Sequence, residues 1–118
     1  INSKVDFQSL RSDEVRIYVC GPTVYDNSQL GHARSAITFD LLRRLIEQLG
    51  KKVIFVKNFT DIDDKILKKM AETNSTLQEI TDKYINSYLS DMSALKVLTP
   101  TISPKATETI NEIIEFIQ

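Results

Sequence analysis

Apolar positions change period twice along this chain, and those changes predict its elements. Val15-Arg-Ile-Tyr-Val-Cys20 is β-branched and aromatic and stops at Gly21-Pro22, which predicts a strand. From Gly31 to Leu49 the apolar residues Ala33, Ile37, Leu41, Leu42, Leu45, Ile46 and Leu49 recur at helical spacing, and Gly50 stands at the C′ position. Lys51-Lys-Val-Ile-Phe-Val-Lys57 predicts a second strand, almost continuous in its apolar centre, as in parallel strands covered on both faces. Strand, helix and strand in close succession make one βαβ unit.

After Asn58-Phe-Thr60 the pattern is helical to the end. Asp61 is placed to cap a helix carrying Asp63 and Asp64 early and Lys65, Lys68 and Lys69 later, in the order that suits the helix dipole. Asn74-Ser75-Thr76 ends it, and Thr76 with Glu79 forms a capping box for the next helix. The buried stripe of that helix is expected to be Leu77, Ile80, Tyr84, Tyr88 and Met92. Ser103-Pro104 reads as an N-cap followed by proline at N1, opening a last helix with Ile110, Ile113, Ile114 and Ile117 on one face. The fold class is therefore α/β: a βαβ unit with parallel strands over residues 1–60, placed to bind a nucleotide at its strand ends, then an all-helical segment over residues 61–118.

Composition adds little. The 118 residues suffice for one domain, with 42% hydrophobic and 26% charged positions, as in ordinary globular proteins. A net charge of −1 gives no sign of a nucleic-acid binder driven by bulk charge. The lysine clusters around 51–52, 57 and 65–69 are interleaved with acids and read as a solvated face. No apolar run reaches about 18 residues, which excludes a membrane-spanning helix. One cysteine and no targeting segment fit a reducing cytoplasm. The start at Ile1 and the end inside a helix are expected to be cuts in a longer protein.

Candidate chemistry gathers where the strands end, because the N-terminus of a following helix offers unpaired N–H groups to an anion at that crevice. Cys20, at the end of the first strand, reads as a small hydrophobe, a nucleophile or one ligand of a metal site lacking its other donors. In Gln29-Leu-Gly-His32, Gly31 lets a planar ligand approach the backbone and His32 can donate to a phosphoryl oxygen, although a plain helix start has the same composition. Asp61, Asp63 and Asp64 could bind Mg²⁺ in a phosphotransferase, or could serve as caps. Asn58 and Thr60, at the carboxyl end of the second strand, are better placed than these carboxylates to touch a ligand.

The blocks Tyr18-Val-Cys-Gly-Pro-Thr-Val-Tyr-Asp26, Leu30-Gly-His-Ala-Arg34, Phe39-Asp40, Asn58-Phe-Thr-Asp-Ile-Asp-Asp-Lys65 and Pro104-Lys-Ala-Thr107 together resemble the N-terminal catalytic part of the cysteinyl-tRNA synthetase family, class I ligases with a Rossmann fold. The resemblance implies ATP-dependent activation of L-cysteine and its transfer to tRNA(Cys), by an enzyme expected to be a cytoplasmic monomer. It implies that Cys20 is one of four Zn²⁺ ligands, and that ATP is used with Mg²⁺. It implies that Gly21, Pro22, Thr23, Asn58, Phe59 and Thr60 line the cysteine pocket, that Gly31 lies against adenine, and that Gln29, His32 and Ser35 meet the phosphates and adenylate. Gln29 stands where the family's motif has its first histidine, and an amide carries no charge there. A related cysteine ligase of mycothiol synthesis shares the first step, and a non-catalytic synthetase-like scaffold is a further alternative. The three remaining zinc ligands and the lysine-rich loop lie outside these residues, so this piece alone is expected to be inactive and to hold zinc weakly or not at all.

Overall fold

A computed structural model describes residues 3–118. Its elements run β1 (Glu14–Val19), α1 (Leu30–Gln48), β2 (Lys52–Lys57), α2 (Asp64–Thr73), α3 (Leu77–Ala94), a 3₁₀ turn (Ala106–Thr109) and α4 (Ile110–Ile117). The strands pair in parallel from Glu14↔Lys52 to Val19↔Lys57, with α1 as the crossover. This is the α/β arrangement the apolar pattern predicts. Gly50 adopts φ 82°, a backbone region that disfavours any Cβ, and so turns the chain from α1 into β2.

Alternation in the strands sends Val53 and Phe55 toward α1, where they pack with Val19, Ile17, Phe39 and Ile46. The opposite face is open among the described residues, with Tyr18 61% and Ile102 52% exposed. Coverage on both faces, expected from the near-continuous apolar run of β2, is thus not observed. The apolar stripe of α1 is likewise only partly used. Ala36 is its single buried residue, while Leu41, Leu45 and Leu49 face solvent.

The larger core lies between α1, α2 and α3. Val24, Ala36, Phe59, Ile66, Ile80, Tyr84, Ile85, Tyr88 and Met92 pack together, with Leu77 partly buried against them. The stripe expected of α3 is therefore the one that builds the core. Ile66, with no exposed surface, contributes about 1.5–3 kcal/mol by burial. The Thr76–Glu79 capping box forms as expected: the Glu79 N–H donates to Thr76 Oγ1 at 3.2 Å and the Thr76 N–H donates to Glu79 Oε2 at 2.8 Å. Those bonds from Thr76 hold the Glu79 carboxyl below its usual range.

Two caps differ from expectation for one reason. Asp63, not Asp61, caps α2 by accepting the Lys65 N–H at 2.9 Å. Asp61 is 4% exposed and instead accepts the Thr107 N–H at 3.0 Å and the Thr107 hydroxyl. Ser103-Pro104 does not open a helix. The Pro104 carbonyl accepts the Phe59 N–H at 2.8 Å, the Lys57 N–H donates to Ile102, and the Ala106 N–H donates to Phe59. Residues 101–106 thus run parallel beside β2 and its continuation, satisfying backbone groups that a local cap would leave unpaired. The helix that follows is short, and its expected stripe of Ile110, Ile113, Ile114 and Ile117 is exposed.

Candidate active-site cleft

Pairing continues past the ends of both strands. The Thr60 N–H donates to the Pro22 carbonyl and the Val24 N–H to the Thr60 carbonyl, each at 3.1 Å, so that Thr23 and Thr60 form a further parallel bridge. The Gly21 N–H donates to Asn58 Oδ1 at 2.8 Å, and Asn58 Nδ2 reaches Thr60 Oγ1 at 3.4 Å. The loops approach so closely that a Cβ on Gly21 would lie 1.5 Å from the Asn58 carbonyl oxygen. Only glycine fits there.

α1 opens beside these loops. Gln29 is its N-cap in an extended conformation, and the Gln29 backbone N–H donates to His32 Nδ1 at 2.9 Å. A ring nitrogen that accepts carries no proton, so the neutral imidazole holds its hydrogen on Nε2 and turns that donor outward. The N–H groups of Leu30 and Gly31 have no partner among the described residues. A Cβ on Gly31 would meet nothing within 4 Å, so the chain's own packing does not demand glycine at this position.

Cys20, Gly21, Pro22, Thr23, His32, Ser35, Lys57 and Tyr88 line one cleft of about 240 Å³. Cys20 is exposed with a free thiol. Asn58 and Thr60 stand behind the wall, bonding the loops that form it, and Gln29 and Gly31 sit exposed at the helix start beside it. The Phe59 side chain points elsewhere, into the core, where its ring meets Tyr88 edge-on at 5.8 Å. A neighbouring cavity of about 300 Å³ is lined by Phe55, Phe59, Leu89 and Met92 together with the charged Asp40 and Arg43, and shares Lys57 and Tyr88 with the cleft. Of the polar groups expected to carry chemistry, Cys20, Thr23, His32 and Ser35 line the smaller space, and Gln29, Asn58 and Thr60 do not.

Lys57, Tyr88 and the Asp61–Thr107 pair escaped sequence reasoning as parts of this region. Lys57 had a usable signal, since it follows Val53 and Phe55 at the inward-facing parity of β2, where a charge is unexpected. Burial pushes its ammonium below the usual lysine range and pushes the Tyr88 phenol up to about 12. Asp61 and Thr107 come from two blocks distant in sequence, and their bond has no local signature.

A resident zinc does not fit these residues alone. Cys20 offers one thiol donor, and no group of three His, Cys, Asp or Glu that could hold a metal ion exists among the described residues. Asp61 and Asp63 each bond the chain's own N–H groups and do not converge. No helix is long and apolar enough to cross a membrane among the described residues.

Comparison with known proteins bears on these positions. Residues 6–118 match the family model described as tRNA synthetases class I (C) catalytic domain. The chain is 63% identical over its whole length to the cysteine–tRNA ligase of Campylobacter hominis, covering 25% of that protein. It is 58% identical over 98% of its length to the ligase of Campylobacter concisus and 59% identical over 98% to that of Wolinella succinogenes, again covering 25% of each. The chain thus spans about a quarter of the length of the curated relatives it matches. With the parallel strand–helix–strand unit and its strand-end cleft in place, this match over nearly every residue means that the chain belongs to the class I (C) tRNA synthetase catalytic-domain family.

Proposed function

We propose that this chain supplies the front part of the active site of a cysteine–tRNA ligase, with residues 1–60 binding amino acid and nucleotide and residues 61–118 buttressing them. In the intact protein, cysteine is activated with ATP to cysteinyl-adenylate and then transferred to tRNA(Cys). The observation that carries this reading is the convergence of Cys20, the Gly21–Thr23 loop, His32 and Ser35 on one cleft at the start of α1. An α/β strand end with free helix N–H groups is where phosphates are held.

A carboxylate oxygen of cysteine attacks the α-phosphorus of ATP, an acyl–phosphate (mixed anhydride) bond forms, and the bond to pyrophosphate breaks. The chain's contribution is to position the reactants and to stabilise developing negative charge. His32 Nε2–H donates to a phosphate oxygen, held in that tautomer by the Gln29 N–H on its other nitrogen. The N–H groups of Leu30 and Gly31 add fixed dipoles, and the open space above Gly31 admits adenine. Ser35 touches the adenylate. Asn58 and Thr60 fix the Gly21–Thr23 wall against which the amino acid lies. Cys20 would give one donor to zinc with three from elsewhere in the protein, and ATP would carry Mg²⁺; no step here is routed through either metal. A cytoplasmic monomer is the proposed setting.

The test is cysteine-dependent ATP–pyrophosphate exchange by the intact protein. His32→Ala is expected to lower the rate about 10²- to 10³-fold, the effect of losing one preorganised donor. An unchanged rate would remove His32 from the reaction. Transfer of the activated cysteine to tRNA, and not to a small amine acceptor, separates this reading from the cysteine ligase of mycothiol synthesis.

A further inference from the structure

One cation lining the cleft takes no part in the contacts assigned to the adenylation step. Lys57 closes β2 on the α1 side of the sheet, in register with Val19 and hence next to Cys20. Its stem is half-buried and its Nζ stands 5.4 Å from the centre of the Tyr88 ring, over the face that attracts a cation. None of the ion pairs among the described residues involves it. It is also the only lysine or arginine among the residues lining the cleft.

We propose that Lys57 is the cation that receives the α-carboxylate of the thiol amino acid in the Cys20–His32 cleft. The inference rests on the reading of this cleft as a cysteine-activating site, and goes beyond it by naming what recognises the carboxylate. A half-buried ammonium that joins no ion pair among the described residues is unfavourable, and an anionic ligand relieves that cost. The position of Lys57 selects between the two anions at hand. It stands at the strand end, in register with the residue before Cys20, and lines the cleft together with Cys20, whereas the phosphate donors belong to the first turn of α1. One carboxylate oxygen rests on the ammonium and the other is left to attack phosphorus.

That geometry has a kinetic signature. The carboxylate loses its charge as the acyl–phosphate bond forms, so the ammonium stabilises bound cysteine at least as well as the transition state. Its loss therefore acts on KM and leaves kcat nearly unchanged. The experiment uses the intact protein and cysteine-dependent pyrophosphate exchange. Cysteamine, which has the thiol and amine but no carboxylate, serves as a competing inhibitor. Lys57→Met is expected to raise the KM for cysteine about ten- to a hundredfold, the worth of one charge-assisted hydrogen bond. The inhibition constant of cysteamine is expected to stay within about threefold, and Lys57→Arg to keep most of the affinity for cysteine.

An unchanged KM in Lys57→Met would overturn the proposal, and so would cysteamine weakening in parallel with cysteine, since that result assigns Lys57 to the shape of the cleft. Lys57→Gln is the second neutral variant and carries the same expectation. Loss of fold in both would place Lys57 in packing and likewise overturn it. Absence of cysteine-dependent exchange in the wild-type protein would instead strike the functional reading itself.

Discussion

The loop after β1 and the first turn of α1 face one cleft but are held in opposite ways. Gly21 is jammed against the Asn58 backbone, its N–H bound to the Asn58 side chain, with Pro22 and Thr60 pairing immediately beyond. Gly31 touches nothing that a Cβ would disturb, and Gln29, Leu30 and His32 around it are exposed. The first glycine answers a demand of the fold. The second answers no demand of this chain, and helix propensity argues against it. In the proposed reading its use is to keep space for a ligand, so one site contains both a rigid wall and an open shelf.

Substitution by alanine at each position should separate these roles. Gly21→Ala carries the largest expected effect, because the new methyl meets backbone and not the end of a flexible side chain. A loss of about 3 kcal/mol or more in chemical denaturation of the intact protein is expected. Wild-type stability in that variant would mean the loops do not approach as described. Gly31→Ala should do the reverse on a smaller scale. It should stabilise by about 0.5–1 kcal/mol, through helix propensity alone, while weakening ATP use in exchange by about ten- to a hundredfold. Wild-type activity in Gly31→Ala would erase the contrast between the two glycines.

How far the sequence shows this arrangement depends on the range of the interactions involved. Elements set by local periodicity and turn chemistry were legible: both strands, α1, the Thr76–Glu79 box and the glycine after α1. So was the α3 stripe, because Ile80, Tyr84, Tyr88 and Met92 find partners in Ala36, Phe59 and Ile66. The same helical spacing in α1 and α4 misled about burial, since an apolar stripe states a need for cover and not who supplies it. Leu41, Leu45 and Ile114 remain exposed among the described residues. Asp61 and Pro104 were misread for a related reason. Each has a strong local habit as a cap or helix opener, and each was claimed by a partner more than 40 residues away in sequence. In the site, Cys20, Gly21 and His32 were legible because strand ends and helix starts are. Lys57 was lost among the neighbouring lysines of the sequence, although its inward parity in β2 set it apart.

The most direct test is a structure of the intact protein with a non-hydrolysable analogue of cysteinyl-adenylate. The thiol end is expected beside Cys20, adenine over Gly31, and the phosphate mimic within hydrogen-bonding distance of His32 Nε2. An analogue seated in the neighbouring cavity among Phe55, Phe59 and Met92, with His32 untouched, would contradict it.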